Sequence, residues 1–182
     1  MVYAHLVNTP LGDVLATGEG DCLTGLWFVG QKYEGGKATA AQRAAWDRSA
    51  SLPLWQKLDR WLAAYFAKEA PTVDFAMRPV GTPFQQEVWA LLQKIPYGQT
   101  TTYGALAKYL ADQRGGARFS AQAVGNAVGH NPISILIPCH RVVGSNGSLT
   151  GYAGGVEKKA ALLRLEGADM RCLTMPTRGT AL

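Results

Sequence analysis

The chain has 182 residues, 47% of them apolar and 17% charged, which excludes an intrinsically disordered polypeptide and leaves room for one ordinary domain or two small ones. No apolar run is long enough to span a bilayer, and the start, MVYAHLVNTPLGDV, lacks the basic-then-apolar order of a secretory signal. The formal charge of +5 is uneven: residues 1–80 hold eight Lys/Arg against eight Asp/Glu, and residues 81–182 hold ten against five. A basic second half fits a polyanionic partner, nucleic acid first, or a solvated surface with a mild basic bias.

Three short stretches rich in Val, Leu, Trp and Phe, residues 2–8, 13–17 and 22–29, read as strands separated by the Gly-rich turns TPLGD and TGEGD. Leu54, Leu58, Trp61, Leu62 and Tyr65 recur at helical spacing and predict a helix over 53–67. Residues 70–82, with two prolines and a glycine, read as a linker. Thr82-Pro83-Phe84-Gln85 has the form of a capping box with Pro83 at the first helical position. Val88, Leu91, Leu92 and Ile95 continue that helix until PYG, 96–98. A second helix is expected over 102–111. A third, 121–129, follows Ser120 as N-cap, and a last one, 156–166, stops at Gly167.

The third helix, AQAVGNAVG, is nearly all small residues. Each interior glycine costs about 1 kcal/mol against alanine. Two readings remain open: tight packing against a neighbouring helix, or close approach of the backbone to a bulky partner such as a DNA groove. A helix, a loop and a small-residue helix in a basic half resemble a helix-turn-helix.

Chemistry concentrates around IPCHRVV, 137–143. The cysteines, Cys22, Cys139 and Cys172, are an odd count and far apart, which argues against a disulfide framework and for a reducing cytoplasm. A free cysteine is usually a small buried hydrophobe. Against that, ISILI, 133–137, reads as a buried strand delivering the chain to Pro138, and GSNGSLTGYAGG, 144–155, holds five glycines whose N–H groups suit an anionic oxygen. On an extended strand Cys139 and His140 would face opposite ways, so a dyad needs a turn here or an intervening water. His140 and Arg141 are candidates to raise the thiolate fraction.

Glu166 sits in the last turn of its helix, where the dipole disfavours a carboxylate. It is either a surface carboxylate paired with a lysine or one that orients a histidine. Asn131-Pro132 is a turn signal, Tyr103 and Tyr152 read as packing residues, and His5 and His130 have no neighbours that suggest a site. With no CxxC or HxxxH spacing, no metal site is expected.

NPISILIPCHRVVGSNGSLTGYAGG followed by LLRLEG resembles the O6-alkylguanine-DNA alkyltransferases, the direct-reversal DNA repair proteins. The resemblance extends through FQQEVWALLQKIPYGQTTTYGALA and covers roughly residues 82–167, while the N-terminal half is similar only in general plan. It implies an α+β fold. A small antiparallel sheet with a helix, residues 1–80, would follow a ribonuclease-H-like plan. A mainly helical domain, 81–170, would hold a winged-helix-like helix-turn-helix for DNA binding and alkyl transfer, followed by a tail, 171–182.

The resemblance also implies roles. Cys139 would take the alkyl group irreversibly from guanine O6, with thymine O4 a second candidate. His140 would be its base through a water, Glu166 would fix the histidine tautomer, and Asn131 would brace the turn. Tyr103 would donate a proton or hydrogen bond to guanine N3. Val142, Tyr152, Ala153 and Gly154 would line the guanine pocket. Ala121, Gln122, Gly125, Arg118 and Ser145 would meet duplex DNA, with helix 121–129 in the minor groove. The protein would act once per molecule, as a monomer, without a cofactor. One departure stands out: the family's usual arginine near the start of that helix, which fills the gap left by the flipped base, is here Gln122, and the preceding loop is longer and carries Arg114 and Arg118. Three rivals remain: a cysteine hydrolase or acyltransferase on Cys139, His140 and Glu166, a module that binds alkylated DNA without repairing it, and a regulatory helix-turn-helix protein with a structural cysteine.

Overall fold

The computed structural model describes residues 1–116 and 118–177; residues 178–182 of the expected tail lie outside the described residues. Its contacts divide the chain into two units, Met1–Val80 with Pro132–Leu136, and Gly81–Asn131 with Ile137–Leu182. Among the described residues no helix is long and apolar enough to cross a membrane.

The first unit is built on three antiparallel strands, β1 (Tyr3–Val7), β2 (Val14–Glu19) and β3 (Cys22–Phe28). A helix, α2 (Pro53–Phe66), packs on β2 so closely that a Cβ at Gly18 would come within 2.9 Å of Leu54. The expected apolar stripe of α2, from Leu54 through Tyr65, is the buried one. A short helix, α1 (Ala40–Ala44), was not anticipated. Thr39 and Gln42 form a capping box at its start, but it buries no residue, so it shows no apolar periodicity.

Two sequence expectations need correction here. The 70–82 linker contains β4 (Ala76–Met77), which pairs in parallel with Cys22–Leu23. Two residues are too few to display alternation. ISILI is buried but is not a strand. Ile133 makes a single bridge to Leu26, the chain turns at Ser134–Leu136, and Ile135 adopts φ +71°, a left-handed conformation that a β-branched residue rarely takes.

The second unit begins with α3 (Pro83–Leu92), closed at its start by the expected capping box of Thr82 and Gln85. Thr102 caps α4 (Tyr103–Gln113) and Ser120 caps α5 (Ala121–Gly129). Val124, Ala127 and Val128 of α5 are buried, and Trp89 of α3 donates through Nε1 to the Ala127 carbonyl at 2.8 Å. The loop between α4 and α5 is pinned by Phe119, which stacks on Phe84 and lies under Arg114, itself paired with Glu87. Two short parallel strands, β5 (Thr101–Thr102) and β6 (Val142–Val143), bring the start of α4 beside the IPCHRVV segment. The last helix is α6 (Val156–Leu165), stopped by Gly167 at φ +74°. Beyond it, Leu173 and Met170 pack on Val143, Leu149 and Leu163, and Thr174 exchanges backbone bonds with Gly147 and Leu149.

Candidate active site

Pro138 cannot continue a helix from its N-terminal side, and the chain after it tightens into one 3₁₀ turn, Cys139–Arg141. This is the turn that the adjacent cysteine and histidine require. All three side chains are buried, Cys139 with 5% of its surface exposed and His140 with none.

Asn131 holds the sulfur. Its Nδ2 donates to the Ile137 carbonyl at 2.7 Å and to Cys139 Sγ at 3.1 Å. The residue read from sequence as a turn former is therefore a buried donor at the thiol. Burial pushes the Cys139 thiol above its ordinary value, while the Asn131 bond and the nearby Lys159 cation pull it down.

Glu166 is no surface carboxylate. It is buried, and its carboxylate accepts from His140 Nε2 at 2.7 Å, from Arg141 Nε and Nη2 at 2.8 and 2.9 Å, and from the Gly98 backbone N–H at 3.1 Å. Burial pushes this carboxyl up, but the bonds from His140 and Arg141 outweigh it and hold Glu166 well below the usual carboxylate range. Arg141, read as a possible electrostatic aid to the thiol, instead serves Glu166. Its Nη1 also donates to the Ile95 carbonyl, and its guanidinium lies over the Tyr97 ring.

The tautomer of His140 follows from these partners. Burial pushes its pKa down, so the ring is neutral at pH 7. An ionised carboxylate only accepts, so the shared proton is on Nε2 and Nδ1 carries a free lone pair. Nδ1 is buried and has no hydrogen-bond partner among the described residues. A neutral imidazole with a bare, buried nitrogen is equipped to take a proton.

The glycine-rich loop is tied to α4 and α6. Tyr103 Oη lies 3.1 Å from both the Thr150 and Gly151 carbonyls and donates to them, and burial raises its pKa. Gly151 sits at φ +79°, where a Cβ would come within 2.2 Å of that hydroxyl, so glycine is required. Tyr152 is buried with its ring edge-on to His140 at 6.4 Å. Ala153 and Gly154 are half-buried.

One member of the cluster escaped the sequence reading. Lys159 of α6 is fully buried and donates to the Val142 and Thr150 carbonyls. The signal was present: Val156, Lys159, Ala160 and Leu163 occupy an i, i+3, i+4, i+7 stripe, which places the lysine on the apolar face.

The structure brings Cys139, His140, Glu166, Asn131, Tyr103, Val142 and Tyr152 together. It leaves Ala121, Gln122, Arg118 and Ser145 on exposed surface. Gly125 lies between these groups, half-buried and 3.6 Å from the Tyr103 ring when a Cβ is added, an ordinary contact. Packing thus accounts for the buried face of α5 and not for the small residues on its exposed face. His5 is paired with Asp59 at 2.9 Å and stacked on Trp55 in the first unit. Among the described residues no group of three or more His, Cys, Asp or Glu side chains is placed to hold a metal ion.

Residues 83–168 match the family described as 6-O-methylguanine DNA methyltransferase, DNA binding domain. The methylated-DNA–protein-cysteine methyltransferase of Mycobacterium tuberculosis is 42% identical over 91% of this chain and 93% of its own length. That of Methanosarcina acetivorans is 39% identical over 92% of this chain and 99% of its own. The crystal structure of a Mycobacterium tuberculosis O6-methylguanine methyltransferase superposes with a TM-score of 0.76 at 43% identity, covering 91% of this chain and 93% of that one. A Mycobacterium tuberculosis OGT in complex with DNA gives the same score at 40% identity, covering 90% and 92%.

Proposed function

The chain belongs to the methylated-DNA–protein-cysteine methyltransferase family, and from that premise we propose that it repairs DNA by moving an alkyl group from O6 of guanine to Cys139. The observation that carries the reading is the buried turn that joins a thiol held by Asn131 to a histidine whose free nitrogen is enforced by Glu166. His140 takes the thiol proton, through a water. The S–C bond forms as the C–O6 bond breaks, and the electron pair leaves with guanine. Tyr103 meets the charge developing at N3, and the N–H of Ala153 meets it at O6. Val142, Tyr152 and Gly154 complete the pocket wall. The thioether product has no leaving group that a neighbouring base can expel, so each molecule acts once, and the step calls for no cofactor.

A base inside a duplex is out of reach, so the guanine must leave the stack, at a cost of a few kcal/mol. In this reading α4 and α5 act as a helix-turn-helix within residues 81–170. The exposed Ala121 and the small Gly125 let the backbone of α5 enter the minor groove. Gln122 wedges into the gap and hydrogen-bonds the orphan base in place of an arginine, while Arg118 and Ser145 contact the phosphate backbone. The protein would work as a cytoplasmic monomer.

The test is stoichiometric. A duplex with one O6-methylguanine, supplied in excess, should be restored at one guanine per protein molecule and then no further. Many restorations per molecule, or hydrolysis of an ester or amide, would favour a cysteine hydrolase instead.

A further inference from the structure

The 144–155 loop, which supplies the proposed guanine pocket, holds five glycines in twelve residues, so ordering it costs much backbone entropy. Tyr103 fixes it at the Thr150 and Gly151 carbonyls. The segment after α6 fixes it just before that point. The chain turns back at Met170, whose carbonyl accepts from the Leu173 N–H at 3.1 Å, and then bridges in parallel to Ser148. The Thr174 N–H donates to the Gly147 carbonyl at 3.0 Å, and the Leu149 N–H donates to the Thr174 carbonyl at 2.9 Å. Met170 and Leu173 pack on the cluster that buries Val143, Leu149 and Leu163. The approach is close: Gly147 sits at φ +79°, and a Cβ there would run into the Cys172 carbonyl. The Thr174 side chain is exposed, so its backbone makes the contact.

We propose that residues 170–174 are a strap that positions the guanine pocket: by holding Gly147 and Leu149 they give the loop a second anchor beside the one Tyr103 supplies, and so set where Tyr152, Ala153 and Gly154 stand. This rests on the reading of those three residues as the pocket wall. A loop with one anchor pivots about it. Anchors at two adjacent residues, Leu149 and Thr150, fix its direction as well as its position. Tyr152 stands edge-on to His140 at 6.4 Å, so a swing of the loop reaches the reactive turn. Catalysis is sensitive to such a shift: a misplacement of about 1 Å can cost on the order of 10²-fold in rate. Leu173 and Thr174 act through the loop and are positioning residues.

Leu173→Ser removes the apolar anchor, and Thr174→Pro removes the N–H that Gly147 accepts from. Leu173→Met keeps the anchor, and Thr174→Ala keeps both backbone bonds. Single-turnover transfer from an O6-methylguanine duplex is measured well below the melting temperature. The rate at saturating duplex should fall roughly tenfold in Leu173→Ser and in Thr174→Pro, with half-saturation near the parental value. Leu173→Met and Thr174→Ala should match the parent. A parental saturating rate in folded Leu173→Ser and Thr174→Pro overturns the inference, because a merely structural anchor lowers only the melting temperature. So does a loss in Thr174→Ala equal to that in Thr174→Pro. If both disruptive variants fail to fold, native-state hydrogen exchange on the parent protein decides. The Leu149 and Thr174 amides must open together with the Gly155 amide, which donates to the Tyr152 carbonyl at 2.9 Å. Opening of the Leu149 and Thr174 amides while Gly155 stays protected overturns the inference. Exchange needs no DNA, so coupled opening upholds the strap even if methyl transfer is never observed.

Discussion

His140 donates through Nε2 to Glu166 Oε1 at 2.7 Å, while Arg141 grips both oxygens of the same carboxylate. The consequence is directional. The bonds from His140 and Arg141 keep Glu166 ionised, so it can only accept, and His140 is left with its lone pair on Nδ1. Histidine and arginine follow the cysteine in one turn of chain, and the carboxylate from the end of α6 fixes the state of both.

Glu166→Gln should therefore reduce alkyl transfer by roughly 10²-fold, measured in a single-turnover assay, because the amide no longer enforces the tautomer. It should also cost about 3 kcal/mol in urea denaturation at pH 7, since Arg141 loses its partner. The pH dependence has a defined sign. The folded pKa of Glu166 is depressed below its ordinary 4.5, so its stabilisation is complete above that value and is lost as the pH falls through the lower folded value. That part of the acid loss should be missing in the variant.

Asn131→Ala removes the donor shared by the Ile137 carbonyl and the Cys139 sulfur. A buried carbonyl left unsatisfied costs about 1–3 kcal/mol. Thermal unfolding should show a melting temperature lower by about 2–4 °C for each kcal/mol lost. The Cys139 thiol should also titrate at higher pH, which a purely structural bond to Ile137 would not produce.

Gly151→Ala places a methyl against the Tyr103 hydroxyl and forces a non-glycine residue to φ +79°. The strain costs about 1–3 kcal/mol. Displacement of the hydroxyl should lower the transfer rate to the level of Tyr103→Phe. A Gly151→Ala protein with the parental rate would separate Tyr103 from the chemistry.

Arg118→Ala and Gln122→Ala should differ in kind. Loss of a phosphate contact weakens binding and reduces the slope of log affinity against log salt by about 1. Loss of the wedge should leave that slope unchanged and slow repair, because less of the unstacking cost is offset. Titrations at several salt concentrations, paired with single-turnover rates, distinguish the two.

Legibility in the sequence followed the range of the signal. The stripe of α2 and the caps at Thr82 and Ser120 are local, and each was readable where it stands. PCHR and the glycines of the following loop marked the reactive turn. What escaped were contacts set by distant neighbours. Glu166 looked misplaced on its own helix because its partners lie 26 and 25 residues earlier in the chain. Lys159 was not singled out, although its helical position lies on the apolar face with Val156, Ala160 and Leu163. ISILI has strand composition, but Ile133 finds only a single bridge partner and Ile135 turns the chain away. β4 was hidden because the strand it joins supplies its reason to be extended.

The most direct measurement is the mass of the Cys139 peptide after the protein meets a duplex carrying one O6-methylguanine. A gain of one methyl on that peptide, matched by one repaired guanine and absent in Cys139→Ser, is expected if Cys139 is the alkyl acceptor. Repair by Cys139→Ser at the parental rate, or guanine restored while the peptide keeps its mass, would contradict it.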